Sequence, residues 1–136
     1  MAPRHSDLEE LVTALPETVS AAWETRQGPI VLTTVDEQGI PNAIYATCVK
    51  LYPDGKVVVA DNFFQKTRAN ILAGSQGALL FITEEGKSYQ LKGSFSYLTE
   101  GEHFDDMKAW LDPKLPGHAA ALLNVEQVYS GATRLL

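Results

Sequence analysis

The chain is poor in the residues that build metal centres and covalent cross-links. Its 136 residues include one cysteine, Cys48, and three histidines. A single cysteine cannot close an intrachain disulfide or supply a cysteine-rich metal site. His5, His103 and His118 stand far apart and match no local metal-ligand spacing, so no metal site is expected. Basic residues are also scarce: 11 Lys and Arg face 17 Asp and Glu, for a net charge of −6. That balance argues against nucleic acid or anionic lipid as the main partner, because phosphate backbones require clustered cations. No apolar run approaches the ~20 residues that span a bilayer. The opening MAPRHSDLEELV is polar and lacks the apolar core of a secretion signal. A cytoplasmic protein without a membrane partner is the expectation.

What remains is ordinary globular material, 45% apolar and 21% charged, of a length that suits one domain over residues 1–136. Residues 1–27 read as a helical segment packed on that domain. Ser6-Asp7-Leu8-Glu9 fits a capping box, and Leu8, Leu11, Val12 and Leu15 recur at helical spacing. Pro16 can end that helix and start a second, with Val19, Ala22 and Trp23 as its apolar stripe. Gln27-Gly28-Pro29 closes the helical part.

Strands follow. Ile30–Val35 is rich in β-branched residues. A turn at Asp36–Gly39 leads to a long candidate strand, Asn42–Tyr52. Pro53-Asp54-Gly55 then precedes Lys56–Ala60. Ala78–Thr83 is continuously apolar, as expected of a strand covered on both faces. After the turn at Glu84–Lys87, Ser88–Leu98 alternates, with Tyr89, Leu91, Phe95 and Tyr97 on one face. Gly93 breaks that face and marks a bulge or a close backbone approach. Thr99–Glu102 fits another capping box, opening a helix striped by Phe104, Met107, Trp110 and Leu111. Ala119–Leu122 suits one more helical turn, and Leu123–Tyr129 is the last strand. Six strands, three tight hairpins and peripheral helices favour a mainly β fold, a closed or partly closed antiparallel barrel.

The stretch most suggestive of a ligand is Val57–Asn70, VVVADNFFQKTRAN. An apolar strand runs into a helix expected over Gln65–Ala73, whose apolar face would be Ala69, Leu72 and Ala73. The turn between carries Asp61, Asn62, Lys66, Thr67 and Arg68. Free N–H groups and the helix dipole attract anions there, and Lys66 and Arg68 add full charges. A phosphate cradle is one reading; solvated charges on a surface helix are the other. Asp61 can accept from a ligand hydroxyl or cap the chain that follows it. Cys48 suits a buried small residue or a redox thiol, and Trp110 suits core packing.

Tyr45–Lys50, the step to Ala60-Asp61, the strand-to-helix segment ending Lys66-Thr67, and the run from Asn70 through ALLFIT to YQLKG resemble the pyridoxamine 5′-phosphate oxidase-like flavoproteins, and within them the small FMN-binding proteins. The resemblance implies a six-stranded antiparallel split barrel that binds FMN. It implies a homodimer with the cofactor at its interface. It places Tyr45, Ala46, Thr47 and Cys48 along the flavin, and Ala60, Asp61 and Asn62 beside the phosphoribityl chain. Lys66 and Thr67 fall on the phosphate, and Gln90 near the ring, with Ser88 as the alternative at that place. Trp110 could then reach the other protomer's flavin. A redox role follows, as flavin reductase, oxidase or electron carrier, with donor and acceptor unspecified. The vitamin-oxidising activity itself is not implied, because the chain lacks the C-terminal Arg and His pair that grips that substrate. The rival is a small-molecule or partner-binding barrel that shares the fold without the flavin.

Overall fold

The structure, a computed structural model, describes residues 15–136. The Ser6–Glu9 capping box and the stripe through Leu8, Leu11 and Val12 lie outside the described residues. Three helices and eight strands follow in the order α1 (Glu17–Glu24), β1 (Arg26–Val35), β2 (Pro41–Ala46), β3 (Val49–Leu51), β4 (Lys56–Asp61), α2 (Lys66–Leu72), β5 (Gln76–Thr83), β6 (Ser88–Leu98), α3 (Glu102–Trp110), β7 (Ala119–Ser130) and β8 (Thr133–Arg134). All pairings are antiparallel. The sheet runs β2-β1-β5-β6-β7-β4-β3, with β8 added to β7.

That order places β2 and β3 at opposite ends of the sheet, yet only Thr47 and Cys48 separate them in the chain. The sheet therefore curls until its two ends meet, giving the mainly β split barrel the sequence suggests. The expected long strand Asn42–Tyr52 is divided at this point. Its first part pairs with β1, Ile30 opposite Ala46, and its second with β4, Val49 opposite Val59. This division and the short β8 account for eight strands where six were expected. The break also changes which residues face inward. Ile44 and Ala46 meet the barrel core before it, Val49 and Leu51 after it, while Cys48 and Tyr52 pack outside.

The three expected hairpins form. Asp36 Oδ1 accepts the N–H groups of Gln38 and Ile40 at 2.9 and 2.8 Å. Tyr52 and Lys56 close the second turn and Thr83 and Lys87 the third, through backbone bonds of 2.8 and 2.9 Å. Inside the barrel lie Ile30, Leu32, Val57, Val59, Leu79, Phe81, Leu91, Leu123 and Val125. Burying such side chains is worth about 1.5–3 kcal/mol each. Trp23 of α1 closes one end, its ring edge-on to Phe81 at 5.1 Å. β1 starts four residues earlier than expected, at Arg26, and takes Gln27–Pro29 into an irregular stretch of its pairing with β5.

Outside the barrel, Met107 of α3 and Leu111 just after it lie over Val58, Ala60, Ala120 and Leu122, so β4 is buried on both faces. Ala119–Leu122 is not a helical turn but the start of β7, inserted between β6 and β4. Two flanking ladders outweigh alanine's helix preference. The Thr99–Glu102 box does not form either: α3 starts after Gly101, with no side-chain cap. Its other anchor is Asp106, which accepts hydrogen bonds from the Tyr52 hydroxyl and from Lys50 Nζ, the latter at 2.9 Å. β5 is covered on its core face only; Leu80 and Ile82 are exposed. No helix among the described residues is long and apolar enough to cross a membrane.

Candidate functional site

β4 ends at Asp61, and a short turn, Asn62–Gln65, leads into α2. Asp61 sets the shape of that turn. Its side chain is fully buried. Oδ1 accepts the Phe64 N–H at 3.0 Å, and Arg68 donates Nε to Oδ2 at 2.7 Å and Nη2 to Oδ1 at 3.0 Å. The Tyr97 hydroxyl, from β6, donates to Oδ2 at 2.5 Å. Burial works to raise the Asp61 pKa, but the hydrogen bonds from Arg68, Tyr97 and Phe64 outweigh it and hold the carboxyl below its ordinary value. Tyr97 is pushed up, by its burial and by donating to that carboxylate.

α2 docks through polar side chains. Thr67 is buried and accepts Asn42 Nδ2 from β2 at 3.1 Å. Asn70 Nδ2 donates to Thr34 Oγ1 of β1 at 3.0 Å. The buried face of this helix is Thr67, Asn70 and Ile71; the expected face fails, since Ala69, Leu72 and Ala73 are exposed. On the other side of the turn, Asn62 Oδ1 accepts the Gly117 N–H at 2.9 Å, and the His118 N–H donates to the Asp61 carbonyl at 2.8 Å. These two bonds draw the loop before β7 against the turn and place Leu115 beside it.

Between β2, the Thr47-Cys48 step, the turn and the start of α2 lies a cleft of about 420 Å³. Eight of the expected site residues line it: Tyr45, Ala46, Thr47 and Cys48 on one side, and Ala60, Asn62, Lys66 and Thr67 on the other. Asn42, Phe63, Gln65 and Leu115 line it too and were not anticipated. Phe63 had a visible signal, an aromatic pair set in a polar turn. Asn42 and Leu115 had none, because a strand pairing and a loop contact place them. Asp61 lies outside the lining, its carboxylate turned to Arg68 and Tyr97. Arg68 is committed to Asp61 and does not line the cleft either, contrary to its expected place at a phosphate. Lys66 is exposed, and among the described residues no carboxylate pairs with it.

Gln90 is elsewhere. It projects from β6 into a separate depression with Lys92 and Thr33. The strand register puts Tyr45, Val31, Leu80 and Gln90 in one row across the outer face of β2, β1, β5 and β6. Trp110 packs with the cluster beneath α3, as its helical stripe indicates. Cys48, half-buried, sits between that cluster and the cleft.

A curled antiparallel sheet, with a ligand-sized cleft between its divided strand and a strand-to-helix turn, defines the split-barrel class of folds. The chain belongs to the pyridoxamine 5′-phosphate oxidase family, whose sequence model matches residues 15–131. It is similar to an uncharacterized protein of Methanocaldococcus jannaschii, 29% identical over an alignment of 106 residues, with 74% of this chain and 71% of that one covered. In structure it is similar to HupZ of Group A Streptococcus, with a TM-score of 0.74, 22% identity, and coverage of 85% of this chain and 93% of that chain. It is also similar to an FMN-binding protein of Syntrophomonas wolfei, with a TM-score of 0.69, 22% identity, and coverage of 94% and 90%.

Proposed function

We propose that the protein is an FMN-binding redox protein, with FMN held in the cleft beside β2 and α2. The observation that carries this reading is the cleft's polarity. It has the size of a small-molecule site, roughly 300–1,000 Å³, with small and apolar walls at Ala46, Cys48, Ala60 and Leu115 and, at one end, a lysine that no carboxylate among the described residues pairs, beside a buried threonine. A planar ring suits the former and a phosphate the latter. Lys66 would hold the phosphate by charge, with Thr67 beside it. Asn62 has an amide nitrogen free among the described residues for a ribityl hydroxyl, since its Oδ1 is taken by Gly117. Bound flavin supplies the electron or hydride transfer. The chain's own part is to orient the ring, to exclude water along Tyr45–Cys48 and to balance the phosphate charge. The FMN-binding relative of the same fold supports this choice of cofactor.

The working unit in this reading is a homodimer. The row Tyr45, Val31 and Leu80 leaves apolar side chains on the outer face, Tyr45 being 77% exposed. A second copy packed on that row would also cover Gln90, which shares it.

The test is direct. Purified protein should carry absorbance at about 450 nm, or should retain it after incubation with FMN and removal of the free cofactor. Protein that does not bind FMN in titration refutes the proposal. Lys66→Ala should weaken FMN by roughly ten- to a hundredfold, the worth of a charged hydrogen bond, and leave riboflavin nearly unchanged. Equal losses for the two ligands would remove Lys66 from the phosphate.

A further inference from the structure

We propose that Arg68 governs phosphate affinity without touching the phosphate, by neutralising Asp61, the buried carboxylate of the turn that walls the cleft. The inference rests on the FMN reading above and concerns how the cleft comes to accept a dianion.

Asp61 stands between Ala60 and Asn62, both of which line the cleft, and five residues before Lys66. A bare carboxylate at that place would repel a phosphate. It is not bare: among the described residues Arg68 is its one ion-pair partner, and the guanidinium meets both carboxylate oxygens. The Arg68 side chain keeps 35% of its exposure while that of Asp61 keeps none. The pair thus presents little net charge to the cleft, and Lys66 is left as the cation that decides it. Tyr97 donates to the same carboxylate but carries no charge. Charge and geometry can therefore be separated by substitution.

If Arg68 is removed and Asp61 stays, one uncompensated negative charge stands behind the cleft wall, between two lining residues and near a dianion. At an effective dielectric near 20 and a separation of roughly 10 Å, each unit of phosphate charge costs on the order of tenfold in affinity and a dianion on the order of a hundredfold, of which salt screening leaves at least about tenfold. If both are neutral, the repulsion vanishes with the compensation.

The experiment compares dissociation constants for FMN and riboflavin, at pH 8, in the full-length chain and in Arg68→Gln, Asp61→Asn with Arg68→Gln, and Tyr97→Phe, with a thermal midpoint for each. Arg68→Gln should lose FMN affinity at least about tenfold relative to riboflavin. The double variant should return the FMN-to-riboflavin ratio to within about twofold of the starting protein, and Tyr97→Phe should leave it unchanged while lowering the midpoint. A merely structural pair would lower midpoints with no change in any ratio, which overturns the inference. A double variant as impaired as Arg68→Gln would make Arg68 a direct ligand and overturns it too, as would a Tyr97→Phe ratio that falls with that of Arg68→Gln. Should Arg68→Gln fail to fold, the ratio of the double variant decides alone: unchanged supports neutralisation, tenfold lower refutes it. A starting protein that binds both flavins equally refutes the inference and spares the flavin reading; one that binds neither refutes both.

Discussion

Gly93→Ala tests how tightly the barrel is curled. Gly93 lies in β6 where the pairing with β7 slips: Lys92 faces Gln127, Gly93 faces Val125, and Glu126 is left between them. A Cβ built on Gly93 would stand 1.8 Å from the Asn124 carbonyl oxygen and 2.8 Å from its carbon. Ordinary contact begins near 3.4 Å, so the carbonyl would have to retreat by about 1.6 Å. No rotamer change can relieve that clash, because the obstructing atom is backbone. Retreat would also strain Asn124 Nδ2, which donates to Ser96 Oγ at 3.2 Å. Overpacking in a rigid interior costs about 1–3 kcal/mol, and a backbone clash belongs at the top of that range. A loss of about 3 kcal/mol corresponds to a fall in midpoint of roughly 12 °C for a domain of this size. Urea unfolding and thermal melts measure it. Gly86→Ala is the control: its φ is +84° with nothing within 4 Å, so only the backbone preference of about 1–2 kcal/mol is at stake. A Gly93→Ala loss below about 1 kcal/mol would show that the strand yields, and the close approach at the β6–β7 slip would not be rigid.

Three further outcomes are expected. Because the Asp61 carboxyl is held below its ordinary 3.8, its contribution is complete above about pH 4 and is lost as the pH falls through the depressed value. Asp61→Asn should flatten that part of the acid unfolding curve, and an unchanged curve would refute the assignment. Tyr52 is pushed up to about 12, by burial first and by its hydrogen bond to Asp106 second. Its share of stability should hold below about pH 10 and disappear as the pH rises toward 12, a limb that Tyr52→Phe should abolish in alkaline melts. Leu80→Lys, placed in the exposed row with Val31 and Tyr45, should shift sedimentation from dimer to monomer and weaken FMN with it; an unaltered dimer would locate the interface elsewhere.

Local chemistry was enough for much of this protein. The turn residues Asp36–Gly39, Pro53–Gly55 and Glu84–Lys87 specify their hairpins by themselves, since short loops with glycine at positive φ admit few alternatives. Gly93 announced a close approach because a glycine in an alternating strand has few other uses. Asn62, Lys66 and Thr67 could be placed at one turn because a strand running into a helix brings neighbours in sequence together, whereas Ala46 and Cys48 were placed opposite them only by the family resemblance.

Other features depended on contacts between residues distant in the chain. Ala119–Leu122 carries helical propensity, and only ladders on both sides make it a strand. The division at Thr47-Cys48 exists because the sheet closes on itself, and no pattern in that segment marks the point. The face of α2 was misjudged because the helix docks by hydrogen bonds from Thr67 and Asn70 to Asn42 and Thr34 rather than by an apolar stripe. The stretch Val57–Asn70 by itself marked two cations and a carboxylate. Tertiary structure divided them, leaving Lys66 at the cleft and binding Arg68 to Asp61, because a carboxylate with no exposure to water must keep its counter-charge beside it.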